Sequence, residues 1–292
     1  ISYIDFPIID LDSSYERYLE PEKITDINQD IVNRANSLVN GETDLFEAVF
    51  NIANWVKTNI KYDLNTLTAS ASQKSSWVLA NREGVCDEIT SLFISMVRSV
   101  GIPARFVTGM VYSNVDNDFG NHGWAEVYFP GHGWVPFDVT FGEYGWIDPG
   151  HVRLSGDLDA GEPSVKYSWK AFNVEVNPAD LLLKSNVVSV GQKINPVYSL
   201  DIEPLFTKVG PNSYVPLEVR VKNPFDYYVS TTITITKAPD IIEQNSRQII
   251  LRPNEERSFF WTIKTPGPLE KNFVYTAQLE AEETFGAIAL ST

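Results

Sequence analysis

Apolar residues in the first half of the chain recur every three or four positions in two separate stretches. The first stretch begins after Asp44 and contains Leu45, Val49, Ile52, Val56 and Ile60. The second stretch follows Cys86 and ends at a glycine and a proline, which stop a helix. This spacing is typical of amphipathic helices, so we predict one helix from Asp44 to about 60 and another that begins at or just after Cys86. A shorter helix is predicted near 26–39, and a Ser-, Thr- and Ala-rich loop over 66–76.

The pattern changes to a period of two after residue 104. Three segments alternate apolar and polar residues between Gly, Pro, Asn or Asp, namely RFVTGMVYS, HGWAEVYF and WVPFDVTF. Such alternation predicts β-strands, and the short PGHG loop between the last two predicts an antiparallel hairpin. The first part of the chain is therefore predicted to contain helices followed by strands.

A second stretch of alternation begins near residue 192 and continues to the end of the chain. Four segments alternate apolar and polar residues, and none has the period of a helix. They are VPLEVRVKNP, YVSTTITITKAP, RQIILRPNEERSFFWTIKTP and FVYTAQLEAE. We therefore predict two domains in the 292 residues. The first is an α+β domain over 1–191, and the second is an all-β immunoglobulin-like sandwich over 192–292.

The composition excludes several kinds of function. The formal net charge is −15, which argues against a protein that binds nucleic acid or anionic lipid through clustered Lys and Arg. One cysteine cannot form an intramolecular disulfide, and with three histidines the chain lacks the usual Cys/His zinc sites. We therefore expect no metal and no cofactor.

Cys86 lies at the predicted N-terminus of a helix. The partial positive charge at that end stabilises a thiolate, which is the nucleophilic form of cysteine. Asp87 and Glu88 oppose this effect because they place negative charge beside the sulfur. A reactive Cys86 would therefore depend on a histidine partner more than on the helix.

The predicted hairpin contains His122 and Asp138, and its register decides whether their side chains lie on the same face of the sheet. A five-residue loop over 129–133 puts Tyr128 opposite Trp134, which makes His122 and Asp138 diagonal neighbours on one face. A four-residue loop would put them on opposite faces, because a slip of one residue reverses every side chain. The glycines in the loop favour the odd length. An aspartate beside a histidine fixes the tautomer and orientation of a general base.

Two segments that contain these residues resemble the transglutaminase-like superfamily, which has a papain-related fold. They are REGVCDEITSLFISMVRSVGIPARFVTG and NHGWAEVYFPGHGWVPFDVT. The resemblance implies that Cys86 is the nucleophile, that His122 is its base and that Asp138 orients the histidine. It also implies a papain-like, transglutaminase-like α+β core in front of the immunoglobulin-like sandwich.

Several other residues are assigned a role from this resemblance or are interpreted as structural. Members of the family stabilise the oxyanion with the backbone N–H of the cysteine and an upstream side chain, for which Tyr62 and Trp77 are the candidates. Trp124 is a candidate for binding substrate as well as for packing around the site. We interpret His132 and His151 as structural.

Three functions fit this set of residues. The acyl-enzyme is hydrolysed, as in a cysteine protease, isopeptidase or deamidase, or it is passed to a lysine amine, as in a protein-crosslinking transglutaminase. Alternatively, the domain is a catalytically idle part of a surface adhesion or interaction protein. We favour hydrolysis of a protein or peptide substrate, outside the cell or at its surface, with any membrane anchor outside the given chain. The oligomeric state stays open.

Overall fold

The computed structural model describes residues 1–64, 72–161, 170, 172–174, 183–192, 198–270 and 272–292. The chain divides into two compact units, which are described separately below. The first unit contains residues 4–191, and the second contains residues 192–292 together with 1–3. Among the described residues, no helix combines the length and the hydropathy that a membrane span requires.

Four α-helices of the first unit lie within the described ranges. They are α1 (Gln29–Leu38), α2 (Leu45–Asn59), α3 (Ser75–Asn81) and α4 (Cys86–Ser99), and a short 3-10 helix (Ser13–Tyr18) precedes them. Asp44 caps α2 by accepting a hydrogen bond from the backbone N–H of Glu47 at 3.0 Å. The three predicted helices are therefore confirmed.

The loop predicted over 66–76 ends earlier than expected. Residues 65–71 lie outside the described ranges, and α3 already begins at Ser75. Asp26 accepts hydrogen bonds from the backbone N–H and the hydroxyl of Ser76, at 2.9 and 2.7 Å. A distant side chain thus fixes the start of this short helix, and a tertiary contact of this kind leaves no period in the sequence.

Helix α4 is the central helix of the first unit. Every residue from Glu88 to Arg98 is buried, including the polar ones. The helix contacts α1, α2 and α3, and it also packs against strands of the sheet. Because it is enclosed on all sides, its first residue, Cys86, has a fixed place relative to the sheet.

The strands of the first unit form one small and one large sheet. The small sheet pairs β1 (Lys61–Tyr62) with β2 (Glu83–Gly84) in parallel. The large sheet is antiparallel with the order β6-β5-β4-β3-β7. Its strands are β3 (Ala104–Ser113), β4 (Asp118–Phe129), β5 (Gly133–Asp138), β6 (Glu143–Tyr144) and β7 (His151–Asp157).

The register of the β4–β5 hairpin is the one that the sequence predicts. Tyr128 lies opposite Trp134, and Phe129 is paired with Gly133, so the turn has an odd length. Gly131 and Gly133 adopt φ values of +79° and +82°, a conformation that favours glycine. The predicted register is therefore confirmed.

The second unit contains two antiparallel four-stranded sheets, ordered β12-β10-β14-β15 and β11-β13-β9-β8. Apolar residues of both sheets form one buried cluster around Trp261, as a β-sandwich requires. FVYTAQLEAE is only partly a strand, because β14 begins at Leu279 and the preceding Phe273 and Val274 are exposed. The strands are β8 (Ser199–Pro204), β9 (Tyr214–Lys222), β10 (Val229–Lys237), β11 (Asp240–Ile241), β12 (Ser246–Leu251), β13 (Glu256–Lys264), β14 (Leu279–Glu283) and β15 (Ile288–Ser291).

Candidate active site

The first turn of α4 is held in place by a buried carboxylate. Glu88 accepts hydrogen bonds from the backbone N–H groups of Val85, at 3.0 Å, and Gln73, at 2.8 Å. Its side chain therefore closes the chain back onto the residue before Cys86, as the glutamate of a capping box does. Glu88, which the sequence analysis treats only as a negative charge, fixes the position of Cys86.

The surroundings of Cys86 disfavour the thiolate form. Burial raises the pKa of the thiol to about 12, the charge of Asp87 adds to the rise, and the Gly123 N–H opposes it. The sulfur donates a hydrogen bond to Asp87 Oδ1 at 3.6 Å. Within the described residues, no hydrogen bond joins Cys86 to His122. The sulfur nevertheless lies near the backbone N–H of Gly123, which directly follows His122 in the chain.

Gly123 permits this close approach of helix and strand. A Cβ atom on it would lie 2.7 Å from Asp87 Oδ1 and 2.4 Å from the ring of Phe106. Any larger residue would therefore push α4 away from β4. The sequence analysis does not single out this glycine, because an isolated glycine inside a strand is an ordinary sign of close packing.

His122 and Asp138 form a buried hydrogen-bonded pair. His122 Nε2 lies 2.5 Å from Asp138 Oδ2, and the two residues are 6% and 0% exposed. Asp138 Oδ1 accepts hydrogen bonds from the backbone N–H groups of Thr140, at 2.8 Å, and Phe141, at 3.0 Å. Burial alone would raise the pKa of Asp138, but the hydrogen bonds from His122 and His151 outweigh it and lower that pKa well below its usual range.

A second histidine contacts the same carboxylate. His151 Nε2 lies 3.1 Å from Asp138 Oδ2, and its Nδ1 lies 3.2 Å from the backbone oxygen of Asp148. Burial lowers the pKa of His151, but the bonds to Asp138 and Asp148 outweigh this effect and raise it to about 10. The sequence analysis interprets His151 as structural. The only available signal was a third histidine 13 positions after Asp138.

Trp124 does not face solvent, which corrects its assignment as a substrate-binding residue. Only 1% of it is exposed. Its ring packs edge-on against that of His151, with centroids 5.2 Å apart. The indole fits because Gly109 has no side chain, since a Cβ there would lie 2.5 Å from the ring. Trp124 is therefore a packing residue that supports the histidines.

The two candidate oxyanion donors occupy different surroundings. Tyr62 is on β1, beside Gly84, and is 49% exposed. Burial, then the neighbouring Cys86 and Asp87, raise the pKa of the Tyr62 hydroxyl, so this side chain lies near the thiol. Trp77 is on α3, and the described part of the chain provides no hydrogen bond to its indole N–H.

Asp87 is the charged group nearest the thiol. Burial raises the pKa of its carboxyl, while the bond from Cys86 and the charge of His122 lower it. Asp87 thus lies between the candidate nucleophile and the candidate base. The sequence analysis expects only that this carboxylate opposes the thiolate, and the electrostatic effect has the expected sign.

Two groups of residues have the composition of a metal site. His122, Asp138 and His151, and separately Glu143, Asp148 and His151, place their ligand atoms within 4.8 Å of one another. In the first group the nitrogens of both histidines are already hydrogen-bonded to Asp138. A metal ion would have to replace both bonds, so we assign no metal to this group.

Comparison with known proteins shows what part of this unit is similar to. Residues 32–139 match the model of the transglutaminase-like superfamily. YebA of Bacillus subtilis is 28% identical over 143 residues, which cover 44% of this chain and 19% of YebA. ML0607 of Mycobacterium leprae is 24% identical over 132 residues, which cover 43% of this chain and 46% of that protein. The chain thus spans less than half the length of either curated relative.

A solved structure is similar as well. It is that of a candidate cysteine protease from Cytophaga hutchinsonii, with 25% identity and a TM-score of 0.44 over 53% of this chain and 51% of that one. The family match over 32–139 contains Cys86, His122 and Asp138. Residues 32–139 therefore form a transglutaminase-like core.

Proposed function

We propose that the first unit cleaves an amide bond of a protein or peptide by acyl transfer to Cys86, followed by hydrolysis of the thioester. One observation carries this proposal. His122, which is buried and lies 2.5 Å from Asp138, directly precedes Gly123, and the backbone N–H of Gly123 interacts with the sulfur of Cys86. A histidine fixed by an aspartate next to a cysteine is the arrangement that activates a thiol.

The first half of the reaction forms the thioester. Cys86 Sγ attacks the amide carbonyl carbon while the thiol proton passes to His122 Nδ1, because Nε2 is held by Asp138. The tetrahedral intermediate then expels the amine, which takes the same proton from His122, and the C–N bond breaks. To react in this way the thiol must leave Asp87 and turn to His122. Asp138 stays ionised throughout and stabilises the imidazolium.

The second half of the reaction releases the acid. A water molecule attacks the thioester carbonyl, His122 takes its proton, and the C–S bond breaks as the proton returns to the sulfur. The oxyanion of each tetrahedral intermediate needs donors. The Cys86 N–H is available because it lies in the first turn of α4, where backbone N–H groups have no acceptor within the helix. The Tyr62 hydroxyl is the second donor that we propose.

Amine transfer to lysine is a second candidate. The observation that favours it is Asp87, since a carboxylate beside the thiol would attract the ammonium group of a lysine. In that case a neutral lysine amine replaces water and attacks the thioester carbonyl. His122 takes a proton from the amine and returns it to the sulfur, so the C–S bond breaks as the isopeptide bond forms. Both reactions use the same acyl-enzyme.

Acylation by p-nitrophenyl acetate tests the shared step. We expect a burst of p-nitrophenolate and an acetyl group on Cys86, detected by the mass of the intact protein. Both should be lost in Cys86→Ser and strongly slowed in His122→Gln, whereas His132→Gln, an exposed matched control, should behave as the wild type. Acylation of Cys86 at the same rate in His122→Gln would refute the proposal.

Casein with a fluorescent primary amine then separates the two reactions. New casein fragments that depend on Cys86 indicate hydrolysis, which is the result that we expect. Incorporation of the amine into intact casein would instead support transfer to lysine. In the second case Asp87→Asn should weaken amine incorporation without weakening acylation by p-nitrophenyl acetate.

A further inference from the structure

We propose that His151 is a positioning residue of this site, which holds the Asp138 carboxylate through a second, charged hydrogen bond. The inference rests on the proposed function only for its effect on rate. One oxygen of the carboxylate, Asp138 Oδ2, accepts hydrogen bonds from the rings of His122, at 2.5 Å, and His151, at 3.1 Å. The other oxygen accepts two backbone hydrogen bonds. Four donors therefore fix the carboxylate in the plane that His122 requires.

The partners of His151 determine its protonation state. Nε2 faces a carboxylate oxygen and Nδ1 faces the backbone oxygen of Asp148, at 3.1 and 3.2 Å. Both of these oxygens can only accept a hydrogen bond, so both ring nitrogens must carry a proton. His151 is therefore an imidazolium. Among the described residues, His122 hydrogen-bonds only through Nε2, and we propose that its Nδ1 takes the thiol proton.

The ring of His151 is also held sterically. Its side chain is 0% exposed and packs between Trp124, with centroids 5.2 Å apart, and Phe141, with centroids 5.9 Å apart. A group that is enclosed in this way cannot turn to follow a moving carboxylate. It fixes Asp138 instead, and the orientation of His122 depends on that carboxylate.

The charge of His151 matters because of what surrounds it. Asp138 and Asp148 face it with negative charge, and the His122 ring is 5.7 Å away. The Glu143 carboxyl, whose pKa burial raises to about 7, lies 4.0 Å from the His151 ring. Lys57 also lies near Asp138, and its amino group donates to the backbone oxygen of Thr140. Loss of the positive charge on His151 would raise the proton affinity of every neighbouring group. The pH dependence of the thiol–imidazole pair should therefore move upward.

Nitrogen-15 NMR of the full chain labelled at histidine tests the protonation state without any activity. The chain has three histidines, so His132→Gln and His151→Gln assign the ring signals. We expect both ring nitrogens of His151 to be protonated at pH 7 and to lose a proton only near its pKa of about 10. A ring nitrogen of His151 without a proton at pH 7 would overturn the inference.

Two substitutions then test the positioning role. His151→Gln keeps an N–H donor without the charge, and His151→Phe keeps a ring without a donor. For acylation by p-nitrophenyl acetate we expect kcat to fall about 10-fold in the first and about 100-fold in the second, with little change in KM. Both limbs of the pH profile should also move to higher pH in His151→Gln, whereas His132→Gln should change neither property.

The pH profile distinguishes positioning from a general loss of structure. Partial unfolding would lower the amplitude of the profile and leave its midpoints in place. Unmoved midpoints in His151→Gln would therefore overturn the positioning role. If the wild-type protein does not acylate Cys86 at all, the proposed function fails. In that case the NMR result still decides whether His151 is the charged partner of Asp138.

Discussion

The two units of this protein each contain a fully buried carboxylate, and the two carboxylates are satisfied in different ways. Asp138 in the first unit accepts from two histidine rings and two backbone N–H groups. Glu283 in the second unit, 1% exposed, accepts from the hydroxyl of Thr231 and the backbone N–H groups of Phe285 and Ala287. Among the described residues, no basic side chain pairs with Glu283.

The difference between these carboxylates lies in their donors. Hydroxyl and backbone N–H groups do not change their charge near neutral pH, so the bonds of Glu283 stabilise a turn. Imidazole rings can exchange a proton, so the bonds of Asp138 also control where a proton resides. Burial of a carboxylate is thus a weak sign of function, and the nature of its donors is the stronger sign.

The largest effect is expected for Asp138→Asn. Both oxygens of Asp138 accept hydrogen bonds, so the NH₂ group of the amide would face a donor in either orientation. The negative charge that stabilises the imidazolium would also be lost. We expect the rate of Cys86 acylation to fall by about 10⁴-fold, as is typical when a triad aspartate is made neutral. Burst kinetics measure this fall, and the exposed Asp118→Asn is the matched control. A fall of less than about tenfold would contradict the role of the pair.

Glu283→Gln should affect stability alone. The amide leaves one of the backbone N–H groups facing a donor, which costs about 1–3 kcal/mol in the free energy of unfolding of the second unit. Urea denaturation measures the cost, with the exposed neighbour Glu282→Gln as the control. Acylation of Cys86 should be unchanged. A change in that rate would show that the two carboxylates differ less than we argue.

The stability of the first unit should depend on pH in a direction set by His151. Its pKa is raised from 6.5 to about 10, so its contribution is fully present below pH 6.5 and is lost as the pH rises towards 10. Urea denaturation of the wild type should therefore show stability falling over this range, by about 1.5–3 kcal/mol. His151→Gln should have a flatter profile. An equally steep profile in the variant would assign the loss to another group.

The smallest effect is expected for Asp87→Asn. Removal of the charge beside Cys86 should lower the pKa of the thiol, because Asp87 is one of the causes of its rise to about 12. Alkylation of Cys86 by iodoacetamide at pH 8 should become about tenfold faster, which corresponds to one pKa unit. Intact-mass spectrometry follows the reaction. An unchanged rate would mean that burial alone sets the pKa of the thiol.

The central pair could be predicted from sequence because it depends on local rules. A period of two defines the strands, and the length of one short turn decides whether His122 and Asp138 share a face. The start of α4 at Cys86 follows in the same way from a period of three to four and from stop signals after it. Each of these inferences needs only neighbouring residues.

His151 could not be found in this way because its contact joins two strands that are not neighbours. β7 and β5 are separated by β3 and β4, which is about 14 Å at the usual spacing of strands. The side chains of Asp138 and His151 nevertheless come within 3.1 Å of each other. This contact depends on tertiary packing, such as the space for Trp124 that the missing side chain of Gly109 leaves, and no local pattern encodes it.

The hydrogen bond from Cys86 to Asp87 affects how this protein would survive oxidants. Peroxides attack the thiolate form of cysteine, and a thiol with a pKa of about 12 contains very little thiolate at neutral pH. While the sulfur stays bonded to Asp87, its conversion to sulfenic acid should therefore be slow. Asp87 thus makes Cys86 a poor nucleophile when no substrate is bound. The same carboxylate would keep this cysteine, the only one in the chain, reduced between turnovers.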